Sequence, residues 1–256
     1  MKILNIDFTV SFALSKREFI KYLRNRSRLI TSLFQSLMFV AIFGAGLGNV
    51  SRVAAGMIPQ AVLFTGIFAG ISIVLDRMLG YLKEIMVAPI SRTTISMGKA
   101  LGGTFVASIQ GIIVLVVTSA LGIYGYDVNL IAKILLVIPL ILLVAFLTTS
   151  LGNLIAAKLA DMHQMQLLMT FLVMPMFFTS GALIDFKGSP FFIITLINPL
   201  TYAVDAMQQI LITPTLFGSI FSTAYLPLFV DVLALVGFSL VFLISAAYIF
   251  RKSEAV

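Results

Sequence analysis

Long apolar runs separated by short polar gaps organise this chain. Six stretches, at about 29–48, 57–75, 100–122, 130–157, 165–184 and 226–249, each carry about 20 mostly apolar residues, enough to cross about 30 Å of hydrocarbon as helix. Strand-like alternation is absent, which disfavours a β-barrel. The expected fold is therefore all-α, an integral membrane protein with six transmembrane helices. With no obvious repeat, residues 1–256 read as a single domain.

Three segments outside the spans have a pattern of their own. In residues 7–27, Phe8, Phe12, Phe19 and Leu23 share one helical face while Lys16, Arg17, Lys21 and Arg24 can reach lipid headgroups, which predicts an amphipathic interfacial helix. A plain positively charged anchor is the simpler reading. The apolar run behind it is too long for a signal h-region of about 7–15 residues, so the N-terminus is expected to stay in the mature protein.

The second segment is a polar island, DRMLGYLKEIMVAPISRTTISMGK, from Asp76 to Lys99. Met78, Leu79, Leu82, Ile85 and Met86 fall on one helical stripe with Arg77, Lys83 and Glu84 off it, and Pro89 ends the helix. Such a stripe can lie on lipid or dock in a partner's groove, where methionine adapts well. The third segment lies in the outer gap at 185–214. It contains FFIITLINPLTYAVDAMQQILI, too apolar for a free loop and broken at Asn198-Pro199, so two short helices forming a re-entrant hairpin are expected, with Asp205 near the start of the second.

Charge orients the spans. Lys2, Lys16, Arg17, Lys21, Arg24, Arg26 and Arg28 precede the first; Arg77, Lys83, Arg92 and Lys99 fill the second gap; Lys158 lies in the fourth and Arg251 and Lys252 in the tail. Only Arg52, Lys133 and Lys187 fall on the opposite side, so both termini and the island are expected to be cytoplasmic. Composition agrees with the class: 60% hydrophobic and 11% charged residues, with a mean hydropathy of +1.11. The net charge of +7 follows from this asymmetry and from contact with anionic lipid, and is no sign of nucleic-acid binding.

Candidate chemistry is thin. The chain has no cysteine and one histidine, His163, so neither a metal site nor a Ser-His-acid arrangement is expected. Gly98-Lys99 is followed by Ala100 and lacks the first glycine of a phosphate loop, so no ATP is bound by that route. The aspartates fall at or near predicted span ends or in the outer hairpin, leaving a coupling-ion pathway few residues to run on. Gly44 and Gly48, Gly66 and Gly70, and Gly98 and Gly102 form small-xxx-small pairs suited to close helix packing, and Pro139 and Pro175 are expected to bend their spans.

The basic segment KREFIKYLRNRSRLI, the stretch APISRTTISMGKALGG and the late FFTSGALIDF with INPLTYAVDAMQQIL resemble the membrane subunit of ABC-2-type exporters, most nearly the daunorubicin-resistance type. Those relatives usually carry an arginine after the VDA motif, where this chain has Gln208 and Gln209. The resemblance implies a permease without a catalytic site of its own, pairing with a second copy or paralogue in the cell membrane. Separate ATPase subunits would bind ATP and magnesium. It further implies a coupling helix in region 76–95, with Arg77, Met78, Leu82, Glu84, Ile85, Pro89, Ser91 and Arg92 as contacts, and an outer hairpin with Asn198, Pro199, Tyr202 and Asp205. Amphipathic drugs or lipids would pass between the two membrane subunits, with Phe34, Phe43, Phe171, Phe177 and Phe178 as lining guesses among 22 phenylalanines. Export of polysaccharide, teichoic acid or glycolipid is the neighbouring alternative, and an ion-coupled carrier or a non-transporting scaffold a more distant one.

Overall fold

A computed structural model describes residues 8–24, 26–80, 92–126, 128–159, 161–184, 186, 188–190, 192–213 and 226–253. Among them every regular element is helical: α1 (Phe8–Arg24), α2 (Arg26–Gly46), α3 (Val50–Met78), α4 (Arg92–Ala120), α5 (Leu130–Lys158), α6 (Met162–Leu168), a π turn (Met169–Val173), α7 (Met174–Phe178), α8 (Phe192–Ile197), α9 (Pro199–Ile212) and α10 (Leu228–Ser253). Four helices, α3, α4, α5 and α10, are long and apolar enough to cross a membrane, and Leu33–Gly46 and Gln166–Phe178 form shorter apolar helical segments.

The centre of the bundle is α3, packed on α4 and α5, with α10 on the far side of α5. In lipid the apolar surface of a helix gains little by leaving its surroundings, so close van der Waals contact must hold the helices together. Glycines provide it. A Cβ on Gly66 would overlap the Thr148 side chain, one on Gly70 the carbonyl of Gly152, and one on Gly152 would come within 2.7 Å of the Ile67 backbone. The backbones of α3 and α5 therefore cross with no side chain between them.

Gly98 and Gly102 do the same for α1. A Cβ on Gly98 would lie 3.0 Å from the Leu14 Cβ and one on Gly102 2.9 Å from the Glu18 Cβ, so α1 is seated along α4 rather than lying free of the bundle. Gly44 and Gly48 behave differently from the expected pair. Gly44 faces Val50, while Gly48 adopts φ +70° in the turn between α2 and α3, a conformation a side chain would strain.

Local signals explain several boundaries. The Asn49 side chain accepts from the Arg52 N–H at 3.1 Å and starts α3 seven residues before the apolar span begins. At the other end Gly80, with φ +79°, ends the helical path, so the stripe expected over Met78–Met86 is not one uninterrupted helix. The α5 helix runs through Pro139 without a break. Pro175, which has no N–H to offer the carbonyl one turn back, sits two positions past the end of the π turn at Val173, a wider turn that relieves the clash of its ring.

Candidate functional site

Two polar assemblies sit at opposite ends of the bundle, and a groove lies between helices along its side. At the end carrying α1, the Lys99 Nζ donates to Asp76 Oδ2 at 2.5 Å and to Ser72 Oγ at 3.4 Å, with Glu18 Oε1 at 3.8 Å. Arg17 adds two contacts of 3.5 Å to the same aspartate, one to each oxygen. Asp76 and Lys99 are buried, whereas the Arg17 side chain is 42% exposed. Two cations thus meet two carboxylates, which is what lets the charges stay inside.

The position of this pair in the chain matters as much as its chemistry. Asp76 is in the last turn of α3 and Lys99 in the second turn of α4, so the ion pair closes the ends of the segment between those helices. Arg17 and Glu18 extend the closure to α1, and Ser11 Oγ adds a bond to the Thr94 carbonyl at 3.2 Å. Nearby, Arg77 donates to the Leu159 carbonyl at 2.6 Å and the Ala157 carbonyl at 3.4 Å, tying the end of α3 to the end of α5. A cation on helix C-terminal carbonyls also opposes the helix dipole.

Of the expected coupling contacts, Arg77 is therefore occupied by α5, while Met78 is exposed at 57%, as is its neighbour Leu79 on the stripe at 65%. Arg92 begins α4. Leu82, Glu84, Ile85, Pro89 and Ser91 lie outside the described residues.

At the opposite end, α9 stitches four other helices, α3, α7, α8 and α10, together. Asn198 accepts from the Leu200 N–H at 2.9 Å as N-cap of α9, ahead of Pro199 at the first helical position, and donates to the Met176 carbonyl at 2.6 Å and Thr179 Oγ1 at 3.1 Å. Tyr202 donates to the Leu196 carbonyl at 2.6 Å, bracing α9 against α8. Burial first, and the Asp231 carboxyl second, hold the Tyr202 phenol above its ordinary range. Gln208 Nε2 reaches the Arg52 carbonyl at 3.3 Å and the Gly181 carbonyl at 3.5 Å. Gln209 Nε2 reaches the Leu226 carbonyl at 2.8 Å and one oxygen each of Asp205 and Asp231 at 3.1 Å, while Asp205 accepts from the Leu226 N–H at 3.0 Å.

The sequence reading did not anticipate the partners in either assembly. Glu18 is the only acidic residue in α1, which marks it as a candidate for pairing, and the Gly98/Gly102 spacing around Lys99 marks the face that receives α1. In the sequence Gln208 and Gln209 stand out only as departures from the arginine of similar permeases. Their amides each bridge two or more segments here.

Three of the five guessed lining phenylalanines are linked through Phe39, whose ring lies 5.5 Å from Phe43 and 5.8 Å from Phe177, which in turn lies 5.2 Å from Phe178. Phe34 and Phe171 are exposed at 67% and 77%, Phe178 is half-exposed and Phe177 is buried. A groove of about 350 Å³ opens between Phe64, Phe68 and Ile71 of α3 and Gln166, Met169 and Met174 of the π-interrupted helix. Its walls are aromatic, aliphatic and thioether with one amide and the Thr170 hydroxyl, adaptable contacts for a mostly apolar ligand. Among the described residues no cluster of three or more metal-ligating side chains occurs.

Comparison with known proteins gives a consistent picture. A family model described as ABC-2 type transporter matches residues 9–212. The chain is 28% identical over 213 residues to a protein named as the transport permease ycf38 of Cyanophora paradoxa, covering 77% of this chain and 72% of that one. The Porphyra purpurea protein of the same name is 26% identical with the same coverage. A protein of Escherichia coli (strain K12), named as the multidrug ABC transporter permease YbhR, is 26% identical over 146 residues, which is 56% of this chain and 39% of that protein.

Proposed function

The chain belongs to the ABC-2 type transporter family, and on that premise we propose that it is the membrane subunit of an ATP-driven exporter of amphipathic molecules. Separate ATPase subunits that bind ATP and magnesium supply the energy, and a second copy of the chain or a paralogue completes the path. The helices Arg26–Gly46 and Met162–Phe178 join the four long ones as six crossings, with the α1 end and both termini on the cytoplasmic side of the cell membrane.

One observation carries this reading: the buried Asp76–Lys99 pair clasps the two ends of the segment that would face the ATPase. A push on residues 80–91 is delivered at once to α3 and α4, and through Arg17 and Glu18 to α1. The same helix α3 forms one wall of the apolar groove, so the input and the ligand share a rigid element. The name of the multidrug relative supports an apolar or amphipathic cargo, as does the groove itself.

Co-purification of the chain with its cognate ATPase tests the assignment. Replacing Leu82 or Glu84 by Arg is expected to abolish stable association, or to leave ATP turnover unresponsive to added compounds. Unchanged association and response would place the ATPase contact elsewhere.

A further inference from the structure

A cavity of about 160 Å³ opens between α1, α3 and α4, beside the ion pair; it shares Phe68 and Ile71 of α3 with the groove of the preceding sections but has its own polar wall. Its polar wall is formed by Glu18, Lys21 and Tyr22 of α1, Ser72 of α3 and Lys99 of α4; its apolar wall by Phe68, Ile71 and Leu75 of α3 and Val106 of α4. A charged rim leading onto an apolar slope along a membrane helix is the shape of a headgroup followed by a chain.

Charge selects the headgroup. Arg17 and Lys99 are balanced by Asp76 and Glu18, and the Glu18 carboxylate in the wall faces Lys99 at 3.8 Å. That leaves Lys21, exposed at the rim and in no ion pair among the described residues. Behind the wall, Tyr22 donates its hydroxyl proton to Gln110 Oε1 at 3.0 Å, and the fully buried Gln110 Nε2 has no acceptor. The surplus ammonium at the rim leaves the cavity short of acceptor oxygens, the deficit a phosphate fills.

We propose that this cavity binds the phosphate of an anionic phospholipid, with Lys21 as its counter-charge and an acyl chain against Phe68, Ile71 and Leu75. The proposal rests on the placement of α1 at the cytoplasmic leaflet, where such lipids are held. Inorganic phosphate offers the same oxygens, but leaves the apolar wall unfilled.

The test is lipid retention by the full chain in nanodiscs of phosphatidylcholine with a minor fraction of phosphatidylglycerol, read by mass spectrometry after detergent extraction. Phosphatidylglycerol is expected to be enriched, and Lys21→Glu to lower the enrichment at least about fivefold, the factor for one lysine at an anionic surface. Lys16→Glu makes the same charge change on the same helix outside the cavity lining and is expected to leave enrichment intact. Val106→Phe fills the cavity without altering charge and is expected to act like Lys21→Glu. No enrichment in the unaltered chain overturns the proposal, as does equal loss with Lys16→Glu, which would show surface attraction alone. Displacement of the lipid by millimolar inorganic phosphate would show a free-anion site and overturn the lipid assignment. ATPase and transport play no part in the readout, so a failure of the exporter reading leaves it interpretable.

Discussion

The two polar ends of the bundle hold their helices by different physics. At the α1 end, full charges meet inside: Lys99 against Asp76 at 2.5 Å, with Arg17 and Glu18 completing the balance. At the α9 end, side-chain amides do the gripping: Asn198 on the Met176 carbonyl, Gln208 on those of Arg52 and Gly181, and Gln209 on the Leu226 carbonyl and on the buried carboxylates of Asp205 and Asp231. An ion pair depends on both partners, because either one left alone is a buried charge. An amide on a carbonyl is a weaker and more replaceable joint.

The largest effect is expected from breaking the charged end. Asp76→Ala strands Lys99 inside the protein and is expected to cost about 3–5 kcal/mol, seen as a lower unfolding midpoint in detergent. The double change Asp76→Asn with Lys99→Met removes both charges and is expected to recover most of that loss. If the single and double variants unfold alike, the pair is not a charge-balanced unit.

The amide end should respond less. Asn198→Ala removes the α9 cap together with the bonds to Met176 and Thr179, with an expected cost of about 1–2 kcal/mol by the same unfolding measurement. A loss as large as that of Asp76→Ala would erase the contrast between the two ends. Smallest of all should be Arg17→Gln. Its side chain is 42% exposed, so its contacts with Asp76 are screened and the change is expected to cost no more than about 1 kcal/mol, shrinking further in high salt.

How much of this was legible depended on whether a feature is made by one helix or by several. The helix expected at 130–157 is found at Leu130–Lys158, because an uninterrupted apolar run sets its own limits. The start of α3 was placed late, since Ser51 and Arg52 dilute the apolar window while the deciding signal is the single cap Asn49. Lys99 was counted with the polar gap, yet it sits inside α4. Its partner on α3 is 23 residues away and its neighbour on α1 is 81 away, and no periodicity in one segment reveals such a meeting. The Asn198-Pro199 break was visible because capping chemistry is local. The clamp made by Gln209 was not, because its targets, Leu226 and Asp231, lie 17 and 22 residues further along.

The coupling role proposed for the ion pair can be separated from its contribution to stability. Reconstituted with its ATPase, the Asp76→Asn, Lys99→Met double variant keeps its packing but loses the electrostatic clasp across residues 80–91. The decisive quantity is the amount of compound exported per ATP hydrolysed in proteoliposomes. If the clasp transmits the stroke, that ratio falls several-fold while ATP hydrolysis and subunit association persist; a ratio equal to that of the unaltered chain would show that the force takes another route.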